Sequence, residues 1–340
     1  MAWKELFIKK HHMKKEYFLV LDIGGTQIRS AVINTKGYLL KKIKTFTRSD
    51  AGAQSIIKDL FQISEQVLQL SGIHQKLLKG IGISFGGPVD FAKQKILCSQ
   101  HVLGWNNLYL PRLFEKKYQI PAIIDNDANL AALGEKTFGA GKKVNSLCYI
   151  TISTGIGGGI IIDGKIWHGA HGLAGEIGHF ILDLNGPKCS CGKNGCLEAF
   201  SSGTALAKNT QYFLKKHPRQ KTVIKTLVSN NLNQINAITI YQAARQKDPF
   251  AQAIVNQSIK NLAISLTNLI NLFDPEMIII GGGITNEGEM FFNPLRKYVS
   301  ELAMFKDLFP LPIIPAKLGD NAGLQGAFSL ILQTLLRPIV

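Results

Sequence analysis

Apolar residues in this chain fall into short unbroken runs that stop at glycines. Tyr17-Phe-Leu-Val-Leu-Asp22 is one such run, closing on an acid and followed by Gly24-Gly25-Thr26. That pattern predicts a buried strand entering a tight turn. Ile28 to Asn34 and Tyr38 to Phe46 read as the next two strands, with Lys36-Gly37 as the turn between them. From Ser55 to Leu70 the period changes to helical, through Ile56, Ile57, Leu60, Phe61, Ile63, Val67, Leu68 and Leu70. Gly80-Ile-Gly-Ile-Ser-Phe85 is a further buried strand, ending at Gly86-Gly87-Pro88.

The arrangement then recurs. Leu147-Cys-Tyr-Ile-Thr-Ile-Ser153 predicts a strand, followed by Thr154-Gly155-Ile-Gly157-Gly158-Gly159 as a turn. Ile160 to Ile162 reads as a second strand turning at Asp163-Gly164, and Met277 to Ile280 runs into Gly281-Gly282-Gly283. The two strand–turn–strand units lie about 130 residues apart, and helices follow each. This spacing is a duplicated α/β unit, which implies two related lobes with a cleft between them.

Bulk composition narrows the class. At 340 residues, 46% hydrophobic and 18% charged, the chain is long enough for two domains and a full core. No apolar run approaches the roughly 20 residues needed to span a bilayer, and the basic N-terminus lacks the apolar core of a secretory signal. Five cysteines, three of them crowded together, argue against a secreted disulfide framework. A cytoplasmic protein is expected. The net charge of +16 concentrates in the first 15 residues and in Lys208 to Lys225. Neither stretch interleaves aromatics with basic residues, so a solvated surface or attraction of anionic nucleotides is favoured over a nucleic-acid-binding face. Met13 is an alternative natural start, which would leave residues 1 to 12 as a tail.

The turns carry the first candidate chemistry. In Asp22-Ile-Gly24-Gly25-Thr26 and in Thr154-Gly155-Ile-Gly157-Gly158-Gly159, glycines let backbone N–H groups approach an anion and a threonine hydroxyl adds a donor. A carboxylate at the strand end, Asp22, can hold hydrated Mg²⁺ against phosphates. Neither turn has the Gly-Lys-Ser/Thr of a Walker loop or dinucleotide-binding spacing. Gly281-Gly282-Gly283 and Gly319-Asp-Asn-Ala-Gly323 suit an adenosine site made of backbone.

Asp125, Asn126 and Asp127 stand at a strand's end before an alanine-rich helix. Helix capping needs one such residue, and ligands in open α/β sheets sit at strand ends. Asp127 is the candidate base for a hydroxyl proton in phosphoryl transfer, with Asn126 orienting the acceptor. Glu176 and His179, between the glycines of Ala174-Gly-Glu-Ile-Gly-His179, together with Glu198 can hydrogen-bond vicinal hydroxyls. Beside them, Cys189, Cys191 and Cys196 with His179 make a Cys₃His set suited to tetrahedral Zn²⁺. Gly192 and Gly195 permit the tight turns this needs. A disulfide or free thiols are the alternatives, although a Cys189–Cys191 bridge would be strained. Cys98 and Cys148 read as buried packing residues.

Taken together, Asp22-Ile-Gly-Gly-Thr26, Gly82-Ile-Ser-Phe-Gly-Gly87-Pro-Val-Asp90, Asn126-Asp-Ala-Asn129, Thr154-Gly-Ile-Gly-Gly-Gly159, Ala174-Gly-Glu-Ile-Gly-His179 and Cys189-x-Cys-Gly-x-x-Gly-Cys-Leu-Glu198 resemble the ROK family of sugar kinases and sugar-responsive repressors. The likeness runs from about residue 17 to about 330 and is nearest to the glucokinase and N-acetylhexosamine kinase members. It implies an actin/hexokinase-like (ribonuclease H-like) two-lobed α/β fold, usually a homodimer, that phosphorylates the 6-hydroxyl of a hexose with ATP and Mg²⁺. It implies a first lobe over 17–125 with a C-terminal helix at about 321–337 packing back on it, after a basic tail over 1–16. The larger second lobe spans 126–320 and carries a zinc-binding loop at 179–198.

By the same resemblance Asp127 is the catalytic base, and Asn126, Asp127, Glu176, His179, Glu198 and Gly87 contact the sugar. Asp22, Gly24, Gly25, Thr26, Thr154, Gly155, Gly157, Gly282 and Gly283 contact ATP, while His179, Cys189, Cys191 and Cys196 hold structural Zn²⁺. Zinc on one imidazole nitrogen would fix the ring so that the other faces a hydroxyl. Two positions depart from the family pattern: Gln27 replaces a lysine, and His101 replaces an asparagine in the sugar-proximal loop. The repressors add an N-terminal helix-turn-helix, and the residues before Asp22 are too few for its three helices. A kinase is therefore expected, ahead of a regulator or a catalytically weak sugar-binding protein.

Overall fold

The computed structural model describes residues 16–99, 102–304 and 311–335. The basic tail up to Lys15, Met13, His101 and the last residues of the expected C-terminal helix lie outside the described residues.

Two five-stranded sheets of the same topology form the frame. In the first, β1 (Tyr17–Ile23), β2 (Gln27–Asn34) and β3 (Leu39–Phe46) make an antiparallel meander, and β4 (Leu78–Phe85) pairs with β1 in parallel. A small hairpin, β5 (Val89–Asp90) and β6 (Lys95–Ile96), follows, and β7 (Ala122–Asn126) then pairs with β4. The second sheet repeats this with β8 (Leu147–Ile152), β9 (Ile156–Ile162) and β10 (Lys165–Ile166) antiparallel, and β11 (Met277–Gly281) and β12 (Ile313–Pro315) parallel. The orders are β3-β2-β1-β4-β7 and β10-β9-β8-β11-β12. The duplicated unit expected from the sequence is present.

Local sequence explains the elements. β1 and β4 are buried on both faces, as their unbroken apolar runs require. β3 lies at a sheet edge and turns Lys41, Lys42 and Lys44 to solvent, which blunts edge-to-edge pairing. The β9–β10 turn places Asp163 and Gly164 at φ 51° and 74°, the left-handed pair that an Asp-Gly hairpin supplies. The helical period found at Ser55–Leu70 becomes α1 (Gly52–Ser71).

Helices cover the sheets. α1 and α2 (Leu110–Tyr118) pack on the outer face of the first. α4 (Leu197–Ser201), α5 (Gly203–Lys216), α6 (Val223–Leu227), α7 (Ala237–Arg245), α8 (Pro249–Phe273) and α9 (Glu289–Leu302) build the mass beside the second. α3 (Asp127–Thr137) and α10 (Ala322–Thr334) share one core with residues of both sheets, among them Phe18, Val20, Leu147 and Ile279. These two helices approach closely because glycines face each other's backbones; a Cβ on Gly134 would stand 3.0 Å from the Gly326 nitrogen. α10 thus packs in a core that includes residues of both sheets, and α3 leads from the end of the first sheet toward the second.

Candidate active site

Three parallel strands of the first sheet end together. Gly86 N–H, beyond β4, donates to the carbonyl of Ile23 at the end of β1 (2.8 Å). Asn126, at the end of β7, donates its side-chain amide to the Gly87 carbonyl (3.0 Å) and accepts from Ala128 and Asn129 N–H, capping α3. A Cβ built on Gly86 would lie 3.3 Å from Asp127 Oδ2 and 3.6 Å from Gly24 Cα, so the Asp127 carboxylate sits against the first glycine turn. Capping is therefore carried out by Asn126; Asp127 Oδ1 accepts the adjacent Ala128 N–H (2.8 Å), and its Oδ2 faces the glycine turn.

Asp127 is electrostatically unusual. Burial is the main cause that pushes its carboxyl up to about 7; the Asp22 carboxylate adds repulsion, the Ala128 N–H opposes, and Glu176 adds more repulsion. A carboxyl poised near neutrality suits proton acceptance from a hydroxyl. Glu176, its side chain still 48% exposed, is itself raised, first by partial desolvation, with His179 opposing and Glu198 reinforcing.

Asp22 is held on both oxygens: Ser84 Oγ donates to Oδ1 (2.7 Å) and Arg29 Nη1 to Oδ2 (2.8 Å). Arg29 also donates to Gln27 Oε1 (3.1 Å). Arg29 received no role in the sequence reading, although it was findable, because the hairpin register places it directly across from Asp22. A guanidinium thus stands beside the first turn, where Gln27 supplies no charge. The turn itself matches expectation, with Gly24, Gly25 and Thr26 between the strands and Gly24 N–H donating to the Gln27 carbonyl (3.0 Å).

The second turn is shorter than its glycines predict. It comprises Ser153, Thr154 and Gly155, and β9 already begins at Ile156, so Gly157, Gly158 and Gly159 are strand residues. Their smallness serves packing. A Cβ on Gly158 would stand 2.8 Å from the Gly175 carbonyl, and one on Gly159 2.7 Å from the Ala128 carbonyl. One face of β9 thereby admits the loop carrying Glu176, and the other admits α3. Gly157 is thus the first glycine of β9, directly beyond the turn. Gly282 follows β11 with φ 85° and packs on the backbone of Ile152, beside the second turn; around Gly283 the space is open.

Glu198 reaches this turn from α4. Its Oε2 accepts Ile156 N–H (3.0 Å) and would lie 2.7 Å from a Cβ on Gly155, while its Oε1 accepts Ser190 Oγ (2.9 Å). Ser190 belongs to the cysteine loop. There His179 Nδ1 lies 3.7 Å from Cys189 Sγ, and Cys191 Sγ lies 3.7 Å from Cys196 Sγ. The ligand atoms of His179, Cys189, Cys191 and Cys196 all fall within 4.8 Å of one another. Tetrahedral Zn²⁺ with Zn–S bonds of about 2.3 Å spaces its sulfurs by about 3.8 Å, so the donor set fits that ion. His179 Nε2 points away from the sulfurs, 3.9 Å from Glu176 Oε2. All five cysteines are unpaired, Cys148 buried in a strand as expected and Cys98 partly buried.

Two further residues were missed by sequence reasoning. Glu135, fully buried, accepts N–H bonds from Ala140, Lys317 and Leu318 (2.7, 2.8 and 2.8 Å) and so ties α3 to the approach to α10. His168 lies against Asp125, with no local pattern to announce it.

Comparison with known proteins gives a coherent picture. The model of the ROK family matches residues 18–334. A glucokinase from Thermotoga maritima is 33% identical over 323 residues, covering 95% of this chain and 99% of that protein. A xylose repressor from Caldicellulosiruptor bescii is 31% identical, covering 93% of this chain and 78% of its own length. Among solved structures, a ROK family glucokinase from Streptomyces griseus in complex with glucose and AMPPNP superposes with a TM-score of 0.78. It is 32% identical, over 94% of this chain and 99% of that one.

Proposed function

The chain belongs to the ROK family, and from that premise we propose that it is an ATP-dependent hexose kinase with Asp127 as its base. The observation that carries the reading is the placement of one carboxyl, raised to about 7, against the glycine turn at the ends of β1, β4 and β7. Structural kinship to a glucokinase that binds glucose and AMPPNP supports it.

The chemistry follows from the geometry. A hexose lying among Asn126, Glu176, His179, Glu198 and the Gly87 backbone presents its 6-hydroxyl to Asp127. Asp127 takes the hydroxyl proton as the oxygen bonds to the γ-phosphorus, and the bond from that phosphorus to the β-phosphate oxygen breaks to release ADP. Mg²⁺·ATP enters as substrate, with Asp22, Gly24, Gly25 and Thr26 on one side and Thr154, Gly155, Gly157, Gly282 and Gly283 on the other. Positioning and charge neutralisation supply most of the acceleration, and the base adds to them. Arg29 contributes a positive charge at the first turn.

Structural Zn²⁺ is part of the proposal. Held by His179 Nδ1 and the three thiolates, it would lock the loop that offers Glu176, His179 Nε2 and Glu198. Elemental analysis of protein purified without chelator is expected to give one zinc per chain, and Cys196→Ser to lose it. A homodimer is expected by light scattering, and the five unpaired cysteines fit the reducing cytoplasm. Among the described residues no helix is long and apolar enough to cross a membrane.

Coupled ADP release with Mg²⁺·ATP over glucose, N-acetylglucosamine, N-acetylmannosamine, mannose and fructose tests the activity. Turnover on at least one is expected. Sugar binding without turnover on any would sink the kinase reading in favour of a binding or regulatory one.

A further inference from the structure

The segment bearing Glu176 leaves β10 in the second half of the chain but is anchored on the first. His168 Nε2 stands 2.7 Å from Asp125 Oδ2, and Asp125 is only 1% exposed, on β7 of the first sheet. A carboxylate can only accept, so this ring nitrogen carries the hydrogen. The imidazole stacks face to face on Phe91, at 4.1 Å between centroids and 8° between planes. Phe91 follows β5, again in the first half. The His168 carbonyl accepts Ala174 N–H (3.1 Å), which closes the loop two residues before Glu176. Between them Gly172, at φ 74°, lies so close to β5 that a Cβ there would be 2.8 Å from the Val89 carbonyl.

On the other side, Asp125 Oδ1 accepts Asn126 N–H (2.7 Å) and the Asn129 side-chain amide (3.3 Å). The carboxylate that receives His168 therefore also fixes the backbone at Asn126 and the first turn of α3, where Asp127 stands. One buried group connects the sugar loop to the base.

We propose that His168 is a positioning residue of the sugar site. Through Asp125 and Phe91 it fastens the Glu176 loop to the frame that carries Asn126 and Asp127. The recognition loop and the base then move as one body, although 40 or so residues separate them in the chain. The inference rests on the hexose-kinase reading and deepens it. Nothing about the nucleotide turns depends on His168, so its loss should tell on the sugar alone.

Steady-state kinetics of His168→Ala and His168→Gln test this, with hexose affinity measured separately by calorimetry without nucleotide. His168→Ala is expected to raise KM and Kd for the hexose about tenfold or more, the scale of losing a hydrogen bond to a buried charge. KM for ATP should stay within about twofold. The Gln amide nitrogen reaches nearly the place of Nε2, so His168→Gln should recover most of the sugar affinity. Should His168→Ala not fold, Phe91→Leu keeps apolar cover while removing the stacked ring, and a smaller rise confined to the hexose is expected. Unchanged hexose KM, equal rises for hexose and ATP, or a Gln variant as poor as Ala would each overturn the proposal. Absence of turnover in the unaltered protein would instead overturn the kinase reading, and the calorimetric Kd values would still decide the role of His168.

Discussion

The two glycine turns occupy equivalent places in equivalent sheets, yet their surroundings differ. In the first half the acid is built into the strand: Asp22 pairs across the sheet with Arg29 on one side and Ser84 on the other. In the second half the corresponding residue is Thr151, flanked by Gly157 and Gly281. No charge is present in that triplet. Its turn takes a carboxylate from Glu198, which arrives from α4 on a loop shaped by the cysteine–histidine cluster. A duplicated scaffold has thus been divided: one copy keeps its electrostatics local, and the other has cleared its strand of side chains to admit α3 and the loop carrying Glu176. Asp127, the proposed base, stands with the first copy and is repelled by acids from both, Asp22 and Glu176.

The sharpest break in this division is at the base. Asp127→Asn is expected to lower kcat by about 10²- to 10⁴-fold, the range for losing a positioned general base, while hexose Kd changes little. An active variant would move the base elsewhere.

Next in size is a split between the two carboxylates. Asp22→Asn should raise KM for Mg²⁺·ATP and Glu198→Gln KM for the hexose, each by roughly ten- to a hundredfold if a charge-assisted contact is lost. If both variants shift the same KM, the halves are not divided in this way.

Gly159→Ala probes the strand rather than the turn. With the Ala128 carbonyl 2.7 Å from the new Cβ, it should destabilise the fold by about 1–3 kcal/mol, read by denaturant unfolding. KM for ATP in the folded enzyme should hold. An altered KM for ATP at unchanged stability would return this glycine to phosphate binding.

The smallest effect is on pH. With Asp127 raised from 3.8 to about 7, kcat/KM for the hexose should climb as pH rises through about 7 and then level, and the Asp127→Asn residual activity should lose that step. Stability runs the other way: a carboxyl raised on folding favours the native state below its unfolded pKa, and that contribution is lost as pH rises through about 7. Asp127→Asn should therefore be relatively more stable at pH 8 than at pH 4.

Much of this was readable in one dimension. The unbroken apolar run of β1, the Asp163-Gly164 hairpin and the heptad-like spacing of α1 each follow from local period or backbone preference, and all appeared where expected. Cys189, Cys191, Cys196 and His179 were visible as a donor set because ligands of one ion cluster in sequence when short turns fold around it. The run Gly157-Gly158-Gly159 reads as turn in sequence and lies in β9, where Gly158 and Gly159 meet neighbouring backbone, for an instructive reason. Glycine marks any close approach of backbones, and in sequence an approach to phosphate is indistinguishable from an approach to a helix. Arg29 was an avoidable omission, because cross-strand register follows from a hairpin once its turn is placed. His168 was not avoidable.

By itself, then, the sequence determined the duplicated α/β frame, the strand ends where chemistry collects, and the acids and thiols available there. Those features depend on periodicity and turn stereochemistry acting over a few residues. Tertiary structure alone decided that Glu198 would meet Ile156 across 42 residues, that His168 would meet Asp125 across 43, and that Gly158 and Gly159 of β9 would face protein. Such meetings depend on which faces pack together and how closely. Side chains far apart along the chain have no common local pattern to record it.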